Sequence, residues 1–297
     1  MNRDDYRPSR RGFLGTGVAL VGGVHLLSRS SLAATPACVL TSEQEEGPYY
    51  VDYEKIRQDV TEGKPGLPVR LQVRLVHAKK CSPLANAALD IWHCDASGVY
   101  SGFTANSPNG PGGRGEGPGG FGPPPGGRPP GPPPPGMRGP GGPGGPRPHG
   151  ALDATRFLRG VQITGGDGVA EFATIYPGWY AGRAIHIHCK VHVGGESSER
   201  YQGGHVSHTG QFFFPEEITE RVAQLEPYSK RLQVHRTTQE EDHIFGEEHG
   251  SASMLTMSRL EKRADAAGFL ATVTVAVDPD AVPEPVGMHG GPPPFDR

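Results

Sequence analysis

Between residues 106 and 150, 34 of 45 positions are Gly or Pro. Glycine has no side chain to bury and proline cannot donate to a sheet ladder, so this stretch cannot build a packed core. A fold must be assembled from the segments on either side, with residues 106–150 as a disordered insertion in a surface loop. Glycine does not recur at every third position, which excludes a collagen triple helix. The block begins six residues after Tyr100, so a lid or adhesive arm beside a site there is the sharper alternative. It also distorts the composition: 45 Gly and 31 Pro in 297 residues would otherwise read as a partly disordered chain. The remainder is long enough for one domain with a sizeable core. No apolar run approaches the roughly 18 residues of a membrane span. The 29 basic and 32 acidic residues, a net charge of −3, argue against nucleic-acid binding as the main activity.

The N-terminus carries its own signal. Ser9-Arg10-Arg11-Gly12-Phe13-Leu14 is followed by a weakly apolar stretch at 15–27 and small residues at Ser31-Leu32-Ala33. This order resembles a twin-arginine export signal spanning 1–33. The resemblance implies periplasmic or extracellular localisation, with the twin-arginine export machinery as a partner. Export in the folded state suits a protein whose metal is inserted in the cytoplasm. Four cysteines, Cys38, Cys81, Cys94 and Cys189, suit disulfides in an exported chain, with at least one bridge expected. Cys94 and Cys189 lie in apparent strands and can equally be buried thiols.

Hydrophobic periodicity points to strands. Residues 69–75 alternate apolar and polar with period two, and 88–93, 168–175, 183–193 and 269–277 are further strand candidates. Helical signal is weak and confined to 216–225 and 253–267. Short strands bounded by turn residues predict an all-β fold, a prealbumin-like or immunoglobulin-like β-sandwich with long loops and few short helices. The domain runs over 34–287, and 288–297 form a flexible tail.

The chemistry centres on Arg183-Ala184-Ile185-His186-Ile187-His188. Residues two apart on a strand share a face, so His186 and His188 project side by side, as cis coordination of one metal requires. Tyr180 closes the turn Tyr176-Pro177-Gly178-Trp179-Tyr180 just upstream, and Tyr100 closes Asp95-Ala96-Ser97-Gly98-Val99-Tyr100. Two phenols with two imidazoles are an unusual donor set. Phenolate is a hard anion that suits ferric iron better than zinc or cuprous copper. A phenol of pKa about 10 needs a strong local charge to ionise, and a trivalent metal supplies one. Iron held ferric by two phenolates leaves the substrate to be activated, which points to a catechol.

Glu46-Gly47-Pro48-Tyr49-Tyr50, the stretch 91–100, residues 160–167, 176–180, 183–188 and His208-Thr209-Gly210-Gln211 together resemble the intradiol ring-cleavage dioxygenases, the catechol and protocatechuate dioxygenase family. The resemblance implies one mononuclear non-haem Fe(III), with Tyr100 and His186 as permanent ligands and Tyr180 and His188 as the axial pair. It implies cleavage of catechol-type rings with O2 to muconate-type diacids, Tyr180 leaving the metal as the catechol binds. It also implies that Arg183 stabilises carbanion character on the bound catechol, that Gln211 donates a hydrogen bond near metal and substrate, and that Tyr49 and Tyr50 line the pocket with Arg183. The short spacing from Tyr180 to His186 predicts an open pocket for broad or bulky catechols. No room remains for the helical dimerisation region of cytoplasmic members, so the chain looks like the secreted branch.

Other histidines are weaker candidates. His205 and His208 lack a useful partner, and His208 reads as structural. His243-Ile244-Phe245-Gly246-Glu247-Glu248-His249 is one residue too long for a zinc-hydrolase motif. His93 and Asp95 read as supports of the strand end beside Tyr100, and Trp92 as core. The rival from another class is a non-catalytic secreted binding or adhesion module on the same sandwich.

Overall fold

The computed structural model describes residues 38–52, 55–111, 151–261 and 264–286. The export leader (1–33), the Gly/Pro insertion from residue 112 onward and the tail at 288–297 lie outside the described residues.

Two four-stranded sheets make the domain. One contains β1 (Pro68–His77), β4 (Val169–Ile175), β7 (Thr256–Arg259) and β8 (Phe269–Val277), in the order β4-β1-β8-β7. The other contains β2 (Ala88–Trp92), β3 (Arg159–Ile163), β5 (His186–Ser197) and β6 (Tyr201–Phe213), in the order β3-β2-β5-β6. β1 and β8 run parallel, and the other pairings are antiparallel. This is an all-β sandwich, as the periodicity predicts. Among the described residues two short α-helices, α1 (Glu216–Val222) and α2 (His243–Glu247), lie outside the sheets.

The core fills the space between the sheets. Val69, Leu71, Val73 and Leu75 of β1 belong to the same buried cluster as Leu89 and Ile91 of β2 and Ile187, Cys189 and Val191 of β5. Burying each such side chain contributes about 1.5–3 kcal/mol, and the alternation that puts these residues inward puts their neighbours outward.

One sequence expectation is corrected, and two strands, β3 and β6, were not anticipated. No helix spans 253–267: this stretch holds a 3-10 turn at Gly250–Ser253, then β7, then a 3-10 turn at Asp265–Ala267. Thr256 to Arg259 pair antiparallel with Thr272 to Phe269 of β8, and that tertiary ladder overrides a weak local helix preference. β3 and β6 had no clear signal beforehand. In β6 the glycines at 203, 204 and 210, and a register shift opposite Val191/His192, blur the alternation.

The outward face of the second sheet positions the site. Its register aligns Arg159, Trp92, His188 and Gln211 in one row across β3, β2, β5 and β6. All four are buried, because other segments lie over them. The segment around Gln44 and Glu45 bonds to β6: the Gln44 N–H donates to Thr209 O, and the Gln211 N–H to Gln44 Oε1. A Cys38–Cys81 disulfide ties down the start of this segment, whereas Cys94 and Cys189 are buried free thiols.

Candidate metal centre

Tyr100 and Tyr180 arrive on two turns that pack together. The Asp95 carboxylate accepts from the Ser97 and Val99 N–H groups (2.8 and 3.1 Å), shaping the loop that ends at Tyr100. The Gly178 N–H donates to Asp95 O, and a Cβ at Gly178 would stand 2.4 Å from Ala96 O. Only glycine permits this approach, which joins the two tyrosine turns. His186 and His188 come from the outward positions of β5, where the sequence places them.

The four side chains converge. Tyr100 Oη stands 3.2 Å from Tyr180 Oη and 3.5 Å from the Nε2 atoms of both His186 and His188. Tyr180 Oη is 3.4 Å from His186 Nε2, and the two histidine Nε2 atoms are 3.0 Å apart. Donors sharing one ion at about 2.1 Å stand about 3.0 Å apart at a right angle and about 3.6 Å at 120°. The observed spacings fall in that window.

Protonation fits the same assignment. The His186 Nδ1–H donates to Ala184 O (2.6 Å), which leaves the Nε2 lone pair aimed at the other donors. Burial pushes His186 down to about 3, helped by the Arg183 charge, and holds His188 well below its ordinary value, so both imidazoles are neutral. Burial also raises Tyr100 and Tyr180 well above the usual phenol range. Neutral imidazole is the ligand form, and phenols this resistant to ionising give up their protons only to a strong cation. The residues present therefore fit a hard trivalent ion. Among the described residues no cluster of three or more His, Cys, Asp or Glu could hold a metal; the site emerges only when the tyrosines are counted.

His188 is held differently from His186. Its ring stacks on Trp92 (centroids 4.8 Å apart, planes 4° apart), and its buried Nδ1 has no hydrogen-bond partner among the described residues. Tyr49 stacks on Tyr100 (ring centroids 4.4 Å apart, planes 18° apart). Tyr50 sits farther along the same sheet face, against Trp92 and beneath the Lys190 ammonium, with its hydroxyl bonded to Asp90.

Arg183 sits among acids. Its Nε lies 3.1 and 3.2 Å from the two Asp242 oxygens, its Nη1 donates to Glu45 Oε1 (3.1 Å), and its Nη2 donates to Gln211 Oε1 (2.5 Å). The Gln211 Nε2 donates to Glu45 O (2.9 Å), so this amide holds Arg183 and the Glu45 backbone rather than pointing at the four donors. Sequence reasoning missed Glu45 and Asp242. Each reaches Arg183 from a distant part of the chain, and a signal that could have marked Asp242 is its position as an N-cap before α2.

The remaining histidines have local roles. His93 donates from Nδ1 to Cys94 O and accepts at Nε2 from Thr174 Oγ1. His208 pairs with Glu43, and His205 bonds to Pro279 O.

The domain is similar to the solved intradiol ring-cleavage dioxygenase from Tetranychus urticae, at 27% identity and a TM-score of 0.61, over 82% of this chain and 97% of that one. The chain belongs to the intradiol ring-cleavage dioxygenases. A second solved dioxygenase matches at 26% identity and a TM-score of 0.60, over 82% of this chain and 96% of its own. No protein-family model and no curated protein matches the chain. This dioxygenase is thus an oxidoreductase whose donor cluster lies at the outward face of its second sheet.

Proposed function

We propose that the chain is an exported, Fe(III)-dependent dioxygenase that opens catechol-type rings with O2 to give muconate-type diacids. The observation that carries this is the convergence of two phenol oxygens and two imidazole nitrogens, with spacings of 3.0–3.5 Å. Tyr100, Tyr180, His186 and His188 would hold the iron. Ferric iron there would chelate a catechol through both oxygens and draw on its electrons, so that a ring carbon becomes open to O2.

The protein's own groups do the rest. Tyr180 is the most exposed of the four donors and stands on a turn rather than a strand, so it is the one that gives way to substrate. Ionised while it holds the metal, its Oη would take the proton of one catechol hydroxyl as it gives way. Arg183, fixed between two carboxylates and Gln211, presents a permanent charge that stabilises negative charge growing on the ring. Tyr49 braces Tyr100 from its stacked position. The Cys38–Cys81 disulfide supports an oxidising destination, in keeping with the leader.

The test is to load the purified protein with Fe(III) and record its visible spectrum. Oxygen uptake is then measured with catechol, protocatechuate, hydroxyquinol and larger polyphenols, with mass spectrometry of products. A red-brown phenolate-to-iron band with ring-opened diacid is expected. A colourless protein that consumes no oxygen with any of these would overturn the proposal. Export is tested by fractionation of cells expressing the Arg10→Lys/Arg11→Lys leader, which should retain the protein inside.

A further inference from the structure

Asp242 is more connected than an N-cap needs to be. Its side chain is fully buried. It accepts from the Ile244 N–H (3.0 Å) and more loosely from the Phe245 N–H, which caps α2. The same carboxylate takes the Arg183 Nε on both oxygens and accepts from the Ala184 N–H at 2.9 Å. Ala184 then offers its carbonyl to the His186 Nδ1–H at 2.6 Å. One anion is therefore one residue removed from a metal donor and in direct contact with the charge beside the site.

A buried carboxylate is costly unless it is paired and its oxygens are filled. Capping a five-residue helix requires no charge, since Asn caps as well as Asp. The charge matches Arg183, and the Ala184 contact matches the start of β5. The second carboxylate on Arg183, Glu45, has no link to Ala184 and hangs from the segment over β6 instead.

We propose that Asp242 is the positioning residue of this centre: it orients the Arg183 guanidinium and, through Ala184, holds His186 as the Nδ1–H tautomer with Nε2 free. This rests on the reading of the four donors as an iron site. Loss of its charge should loosen Arg183 and let Ala184 shift, so that both the metal donor and the nearby cation lose their setting. Outer-shell changes of this kind typically cost 10–100-fold in metal affinity or turnover.

The experiment compares wild type, Asp242→Asn and Glu45→Gln. Asn keeps the cap, so metal-free Asp242→Asn should fold, as circular dichroism and a cooperative melt would report. Nitrogen NMR of the metal-free protein should show His186 as a single Nδ1–H tautomer in wild type and as a mixture in Asp242→Asn. Chelator competition should show Fe(III) held at least about tenfold more weakly by Asp242→Asn, with kcat down by a similar factor and KM changed less. Glu45→Gln should slow turnover while leaving iron affinity and the His186 tautomer as in wild type. If Asp242→Asn matches wild type in tautomer and affinity, or if Glu45→Gln lowers affinity equally, the positioning role is refuted. If Asp242→Asn does not fold, Arg183→Lys is the second probe: it should keep the Ala184 contact and the tautomer, and a mixed tautomer there would also refute the role. Wild-type protein that takes up no iron refutes the function itself, which is a separate result.

Discussion

Gly47 offers a test in which backbone and contact effects separate. Its φ is +72°, and a Cβ there would stand 3.2 Å from His188 Cε1 and 3.7 Å from Nε2. Gly63 has nearly the same φ, +73°, but nothing lies within 4 Å of its Cβ position. An alanine in this left-handed region costs about 1–2 kcal/mol. Gly47→Ala and Gly63→Ala should share that cost. At about 2–4 °C per kcal/mol for a domain of this size, both should melt several degrees below wild type. Only Gly47→Ala also presses on the ring. His188 has no hydrogen bond at Nδ1 to resist, so the ring slides against Trp92 and Nε2 leaves its place 3.0 Å from the His186 nitrogen. Metal-free melts give the shared term, and chelator competition gives iron affinity, which should fall about tenfold in Gly47→Ala alone. Equal iron affinity in the two variants would refute the view that packing alone sets His188.

Three further outcomes are expected. Tyr180→Phe removes one phenol, so the ferric band should weaken and shift and turnover should fall by at least about tenfold; an unchanged spectrum would mean that Tyr180 is not a ligand. Burial pushes His93 down to about 4, from an ordinary value of 6.5. The unfolded chain therefore binds the extra proton first, so this contribution is complete above pH 6.5 and is lost as pH falls towards 4, by about 3 kcal/mol in all. Urea titrations of metal-free protein should show a shallower pH slope in His93→Gln. The Cys38–Cys81 bridge spans a separation of 43 residues, for which chain entropy predicts up to about 4 kcal/mol. A Cys38→Ser/Cys81→Ser variant should unfold at lower urea, and an unchanged midpoint would show that the segment is held without it.

The sandwich was legible because β1 alternates with period two and β2, β4, β5 and β8 are short apolar-rich runs, and His186 and His188 were legible because residues two apart on a strand share a face. Tyr100 and Tyr180 were found through turn chemistry at Asp95 and Pro177-Gly178. Glu45, Asp242 and Gly47 were not singled out as site residues. Each acts on a residue more than fifty positions away, at Arg183 or His188, and no local pattern encodes that contact. β6 escaped notice for a related reason: its pairing with β5, not its own composition, makes it a strand. Trp92 read as core and is indeed buried, yet its flat contact with His188 makes it part of the site.

Strand β5 divides its labour by parity. Its odd positions, Ile187, Cys189 and Val191, hold the sandwich together, and its even positions, His186 and His188, face the donors. The donors are buried as neutral groups, and the Arg183 cation beside them is matched by carboxylates. Neutral or paired polar groups can be enclosed at modest cost, whereas four unpaired charges could not. The pocket can therefore close before any ion enters it, with Ala184, Trp92 and the joined tyrosine turns setting its shape. Folding first and loading second, both completed in the cytoplasm, is also the order that the proposed twin-arginine route demands of its cargo.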